Sequence, residues 1–368
     1  MKPLAGIRVV ELARILAGPW CGQVLADLGA EVVKVERPVS GDDTRHWGPP
    51  FVTAPDGSPR DAAYFHATNR GKRSVAIDIA TPEGQAEVRA LVATADVVIE
   101  NYKVGGLAKY GLDHASLSAV RPGLVTCSIT GFGQDGPYAH RAGYDFIIQA
   151  MGGAMSLTGE PEGAPQKSGV AYADLFTGVY SAVAILAALR RRDLTGEGAW
   201  IDMALMDTQV AVLANQALNF MVGGSVPTRM GNGHANLVPY QAFETADGAL
   251  VIAVGNDGQF ARLCGVLGLD LHINPRFATN PARVTHRRAL IPAVQAAVAT
   301  WRKADLYEAL EAAGIPAGPI NALDEVFADP QVMARGMAIR PDGLPGLAGP
   351  IVIDGERMVA ERGAPQRP

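Results

Sequence analysis

IRVVELARILAGPWCGQVLADLGAEVVKVE, residues 7–36, holds a strand, a helix and a second strand in one short run. Ile7–Leu12 is dense in branched apolar side chains, the pattern of a buried strand. Gly18–Gly29 follows at helical spacing, with Pro19 in its first turn and Gly29 at its end. That placement of proline and glycine is the one a helix favours. Glu31–Glu36 repeats the strand pattern and stops at Arg37-Pro38. The turn after the first strand reads LAGPWCG rather than GxGxxG. The dinucleotide fingerprint is therefore absent, and a nicotinamide dehydrogenase loses its best support.

Working outward, the same alternation continues. A polar loop, GDDTRHWGPPF (41–51), is too irregular for a regular element. Arg73–Ile79 reads as a third strand, and Thr81-Pro82-Glu83-Gly84 opens a helix to about Ala93, with Thr81 as its cap. Asp96–Glu100 and Gly123–Ile129 read as a fourth and a fifth strand. Strands alternating with helices predict a parallel sheet with helices on both faces. Ligands of such sheets bind beyond the carboxyl ends of the strands. Those ends carry Ala13–Gly18, Arg37, Asn101-Tyr102 and Thr130–Gly133.

Further along, Gly143–Gly163 reads as a helical run ending in a glycine-rich loop. In Ser168–Arg192, the apolar residues Leu175, Val179, Ala182, Ile185, Leu186 and Leu189 recur at helical spacing, and Arg190–Arg192 suit a helix C-terminus. Asp174 is the one acid at the start of this segment. It reads either as a cap accepting from free backbone amides or as a carboxylate nucleophile held in apolar surroundings. Asp207–Met221 reads as another long apolar helix. The composition then changes. Residues 1–200 and 323–368 are expected to form a large discontinuous domain, 201–229 a linker, and 230–322 a small α+β domain. The small domain opens on the hairpin YQAFET/ALVIAV, turned at Ala246-Asp247-Gly248.

The chain has 368 residues, is 48% hydrophobic and 19% charged, and carries a net charge of −5, so it can build a full core. With no sustained basic run, nucleic acid is not an expected partner. Cys21, Cys127 and Cys264 lie far apart, which fits a reducing cytoplasm better than a disulfide framework. No secretory leader or membrane span is expected, because apolar runs are broken by glycine or charge. The histidines at 46, 66, 114, 140, 234, 272 and 286 show no HExxH or other ligand spacing, so no metal site is expected. Arg37, Arg70, Lys72, Arg73 and Lys109 fall in or near the strand-end rim. They read either as partners for a phosphate-bearing ligand or as ordinary solvated charges. RVTHRR (283–288) reads as a solvated helix face. Gly152, Gly153 and Gly159 read either as donors to an oxyanion or as a tight turn.

At this point the motifs resemble a known family. PLAGIRVVELARILAGPWCGQVLADLGAEVVKVERP, GDDTRHWGPP, NRGKRSVAIDIATPEG, ADVVIENY, SITGFGQDGPY, RAGYD, TGEGAWIDMALMD, GNGHANLVPYQAF, AGIPAGPIN and DPQVMARG are similar, in order, to the class III CoA-transferases. The resemblance covers nearly the whole chain. It implies a Rossmann-like large domain and a small domain in an interlocked homodimer. It implies an acyl-CoA thioester and a small carboxylic acid as substrates, with no permanently bound cofactor. It makes Asp174, in GVAYADLFTG, the nucleophile, working through a mixed anhydride and an aspartyl-CoA thioester. A helix N-terminus would steady that carboxylate and lower its pKa.

The residues matching the family's CoA contacts are Ile15, Arg37, Lys72, Asn101, Tyr102, Lys109 and Tyr110. Lys109 stands where arginine is usual, which keeps charge but loses the bidentate fork. Thr130 replaces the lysine of oxalate-type members, and the tetraglycine loop is not found, which speaks against oxalate as acceptor. The wording of the loops is closer to the succinyl-CoA:dicarboxylate branch. Family members usually continue past ERGAPQRP with a GxHT motif and a last helix, and this sequence ends at Pro368. The same fold hosts α-methylacyl-CoA racemases, which use the histidine of a GHD motif. Here the triplet is Gly143-Tyr144-Asp145, and a phenol is a poor base in place of an imidazole.

Overall fold

The computed structural model describes residues 1–368. The chain divides into two compact units. Unit 1 comprises Met1–Ala154, Lys167–Ala214 and Pro330–Pro368; unit 2 comprises Met155–Gln166 and Asn215–Asp329. The helical segment after 200 therefore stays with unit 1 as far as Ala214, well into the expected linker. The return to unit 1 comes at Pro330, and a short excursion at 155–166 belongs to unit 2.

Unit 1 begins with β1 (Arg8–Glu11), α1 (Ala17–Asp27) and β2 (Glu31–Glu36). A hairpin of β3 (Phe51–Thr53) and β4 (Pro59–Ala62) leads to α2 (Ala63–Thr68) and β5 (Arg73–Ala76). Next come α3 (Pro82–Val92), β6 (Val97–Glu100), α4 (His114–Val120) and β7 (Val125–Thr130). The set continues through α5 (Asp145–Met151), α7 (Tyr172–Thr195), β8 (Ala199–Ala204) and α8 (Leu205–Ala211), while the short α6 (Ala154–Leu157) leads into the 155–166 excursion of unit 2. Six strands form one parallel sheet in the order β5-β2-β1-β6-β7-β8. Numbered along the chain within that sheet this is 3-2-1-4-5-6, the doubly wound Rossmann order.

Successive strand residues point to opposite faces, so the strands supply two cores. Val97, Ile99, Val125 and Cys127 pack with α1 and α7 on one face. Val10, Val35 and Val98 pack with Val88, Val92 and Leu117 of α3 and α4 on the other. Helices α1 and α7 approach closely because α7 has Gly178 at the crossing. A Cβ there would lie 2.7 Å from the Ala17 carbonyl oxygen and 2.9 Å from the Trp20 ring. By length and composition α7 would also suffice to cross a membrane. Ala173, Thr177, Ser181, Ala182 and Ile185 instead bury one side of it in unit 1.

Several local expectations are corrected. The third strand stops at Ala76 rather than Ile79, because the chain turns at Asp78, whose carbonyl takes the Thr81 amide (3.1 Å). Thr81 does cap α3, its side chain accepting from Gly84 N (3.0 Å). The loop at 41–51 contains a 3-10 turn, Asp43–His46, capped by Asp42. The long helix expected over 207–221 is two helices, α8 and α9 (Asn215–Gly223), broken where Ala214 takes φ 45°.

Unit 2 has a three-stranded antiparallel sheet, with β10 (Gly248–Ala253) between β9 (Tyr240–Thr245) and β11 (Ala317–Pro319). Helices α10 (Asp257–Leu267), α11 (Asn280–Thr285), α12 (Arg287–Val298) and α13 (Lys303–Ala312) follow the hairpin. The RVTHRR segment is not a solvated face. Arg283 is fully buried, donating to the carbonyls of Val238 (2.7 Å) and Phe277 (3.0 Å) and to Asp257 (2.7 Å).

Candidate active site

At the carboxyl ends of β1, β6 and β7 lies a cleft of about 380 Å³. Asp174 lines it, together with Ile15, Asn101, Tyr102, Lys109 and Tyr110. Six of the eight residues matched from the sequence are thus brought to one cavity. Arg37, exposed just after β2, lines a shallow recess of about 40 Å³ that shares Arg14 and Tyr102 with the cleft.

Lys72 is elsewhere. Its side chain is fully buried and its ammonium is taken up by Glu11 (2.8 Å), the Pro19 carbonyl (2.8 Å) and Asn69 (2.9 Å). Burial pushes its pKa down to about 8, against the pull of Glu11. Arg70 is likewise held by Asp27 (2.6 Å), and Arg73 begins β5, at the opposite end of its strand from the rim. Both Lys72 and Arg70 are structural cations. Lys34 completes the cluster, binding Glu11 (3.0 Å), Asp42 (2.9 Å) and the Ala13 carbonyl (2.8 Å). Burial acts to raise the Asp42 carboxyl, but Lys34 and the Thr44 amide outweigh it and hold it below the ordinary range.

This network builds the rim from below. The Ile15 amide points at the two Asp42 oxygens (3.2 and 3.4 Å), and Ile15 takes φ 75°. A β-branched residue in the left-handed region is strained, and such strain persists only where the surroundings over-determine it. Asn101 ties the preceding residue, accepting from Arg14 N (3.0 Å) and donating to the Arg14 carbonyl (2.6 Å).

Four cations, Arg14, Lys103, Lys109 and Arg141, line the cleft that contains Asp174. Arg14 is paired with Asp43 (2.8 Å), and Arg141 lies over the Tyr138 ring (4.0 Å). A basic mouth of this kind suits a polyanionic ligand. Lys103 and Arg141 were not singled out from the sequence, because they lie on loops beyond the strand ends. Tyr144 reaches the cleft because Gly131, after β7, crosses Gly143. A Cβ on Gly131 would stand 2.5 Å from the Gly143 Cα. Gly152, Gly153 and Gly159 do not line it. Gly152 closes α5 and packs on Gln209, and Gly159 sits in a turn whose Cβ position meets the Ala164 carbonyl at 2.9 Å.

Asp174 is the third residue of α7 and is not its cap. Its carboxylate has no hydrogen bond or ion pair with the protein. Burial, reinforced by the neighbouring Asp145, raises its pKa to about 7. This reverses the expectation of a lowered value. The helix N-terminus is outweighed by removal from water and by a like charge. The group is half ionised near neutrality, and its anion is more basic than an ordinary carboxylate.

The family model for CoA-transferase family III matches residues 4–367. The chain is a family III CoA-transferase. It is 57% identical over 370 residues to the succinate–glutarate CoA-transferase of Agrobacterium fabrum, covering 99% of this chain and 92% of that one. It is 45% identical over 340 residues to the succinyl-CoA:glutarate CoA-transferase of Mus musculus, covering 92% of this chain and 77% of that one. The crystal structure of a CaiB/BaiF family protein from Brucella suis superposes with a TM-score of 0.88 at 57% identity, covering 99% of this chain and 96% of that one. The substrates of this CoA-transferase are a CoA thioester and a carboxylic acid.

Proposed function

We propose that this CoA-transferase moves CoA from succinyl-CoA to a dicarboxylic acid of the glutarate type, with Asp174 as the covalent carrier. The observation that carries the reading is a carboxylate of raised pKa, free of hydrogen bonds, in a cleft whose mouth is basic. The names of the relatives support the substrate pair. The ionised Asp174 attacks the thioester carbonyl, forming an aspartyl–succinyl anhydride and releasing CoA thiolate. The thiolate attacks the aspartyl carbonyl, giving an aspartyl-CoA thioester and succinate. The acceptor carboxylate attacks that thioester, and thiolate leaves a second time. Its attack on the acceptor's carbonyl yields the new acyl-CoA and restores Asp174. Covalent catalysis splits one difficult exchange into activated steps.

In this reading Arg37 pairs with a CoA phosphate, Asn101, Tyr102, Lys109 and Tyr110 hold the adenine and 3′-phosphate end, and Ile15 lies beside the bound CoA. Lys72 supports the site from below, through Glu11, the Pro19 carbonyl and Asn69. Exposed apolar residues on α7 (Phe176, Val179, Val183) and on α9 (Leu218, Met221, Val222) support burial in an interlocked homodimer, tested by the molar mass in solution.

The test is covalent capture. Protein incubated with succinyl-CoA and hydroxylamine becomes a hydroxamate at Asp174, read by peptide mass spectrometry. Unmodified Asp174 during measured turnover refutes the mechanism.

A further inference from the structure

Helix α7 has no cap from its own sequence. Ala171, at its N-cap position, offers no side-chain acceptor. The acceptor comes from another helix. Asp145, at the start of α5, takes the Ala173 amide on Oδ1 (3.0 Å), with the Asp174 amide at 3.4 Å from the same oxygen. Its other oxygen accepts from Gln149 Nε2 (2.7 Å). Gln149 is buried, and its carbonyl oxygen takes the Ser168 amide (2.9 Å). One turn of α5 therefore clamps the chain on both sides of residues 168–174.

We propose that Asp145 is a positioning residue for the nucleophile, occupying the helix-end amides so that the Asp174 carboxylate stays free and faces the cleft. The proposal rests on the reading of Asp174 as nucleophile. A carboxylate in the first turn of an uncapped helix is drawn to the free amides of that turn. Oxygens committed to amides are stabilised as the anion and lose basicity. Asp145 fills that role from outside and adds a like charge beside Asp174.

No other charge near α7 takes over either task. Asp27 on α1 is paired with Arg70, while Asp202 on β8 and Asp207 on α8 are exposed. Tyr64 on α2 senses the Asp174 charge. The cleft cations Arg14, Lys103, Lys109 and Arg141 form no ion pair with Asp174.

The experiment compares Asp145→Asn and Asp145→Ala in the full chain, with succinyl-CoA as donor and glutarate as acceptor. Asn keeps an oxygen for the amides and removes the charge; Ala removes both. Asp145→Ala lowers kcat by about 100-fold, the scale of a misplaced reacting group, with little change in KM for succinyl-CoA. Asp145→Asn recovers much of kcat, and the acidic limb of its kcat/KM profile moves down by roughly one pH unit. A merely structural contact does not move that limb. Wild-type kcat in the Ala variant, or an unmoved limb in the Asn variant, overturns the proposal. If Ala fails to fold, the near-isosteric Asn variant carries the test through its pH profile. Hydroxylamine capture on the wild type reports Asp174 alone. Failure there refutes the nucleophile, whereas capture with an unmoved limb refutes only Asp145.

Discussion

Asp174→Asn stabilises the protein, and does so increasingly as pH rises. The carboxyl titrates near 3.8 when unperturbed and at about 7 in the folded chain. Between those values the folded state binds more protons than the unfolded state, so wild-type stability falls as pH rises through the window. The penalty is absent below the unfolded value and complete above about 7. At about 1.4 kcal/mol per pH unit the full interval is worth roughly 4 kcal/mol. The cleft is open to water, so about 1–2 kcal/mol is the expected share. Asparagine keeps the shape and removes the charge. Thermal unfolding of the apo proteins at pH 5, 6, 7 and 8 reads the effect, at about 2–4 °C per kcal/mol for a domain of this size. The variant's advantage grows by several degrees across the series while transfer activity is lost. A Tm difference that is flat in pH, or that shrinks as pH rises, refutes the raised carboxyl.

Three other outcomes follow from packing and charge. Gly178→Ala forces a methyl against the Ala17 carbonyl and Trp20, which costs about 1–3 kcal/mol and lowers kcat because Asp174 lies one turn away. Unchanged Tm and kcat would show that α1 and α7 can separate freely. Lys109→Ala raises KM for the CoA thioester by up to about fivefold, the worth of an exposed charge contact. Lys72→Met instead lowers the urea midpoint by the equivalent of about 3–5 kcal/mol, because Glu11 loses a buried partner. A Lys72 variant of native stability with only a raised KM would return that residue to the ligand.

The sheet was legible because its central strands are buried on both faces. VVE, VVKVE, VVIE and VTCSI are nearly continuous apolar runs, separated by helices with ordinary punctuation. The site was legible as far as the strand ends and the matched motifs reach. Lys72 was misplaced because its partner, Glu11, lies sixty-one residues earlier, and nothing local distinguishes a buried lysine from a solvated one. Arg283 deceived in the same way. Asp145 was not seen as a cap because capping is ordinarily local, and here the acceptor stands twenty-eight residues before the amide it serves. The raised carboxyl of Asp174 comes first from burial and then from that same non-local neighbour, neither of which is local in sequence. The break at Ala214 has no glycine or proline to announce it.

Contacts that close unit 1 come from far along the chain. Asp27 is held by Arg70 and by the Ala360 amide (2.8 Å), 333 residues further on, and Arg70 reaches the Leu347 carbonyl (2.6 Å). During synthesis these partners emerge only after all of unit 2. The residues of unit 2 are therefore all made before these supports of unit 1 exist. Such long sequence separation slows closure and leaves the loop at 69–72, which underlies the strand-end rim, without its last supports until the chain has been made past Ala360.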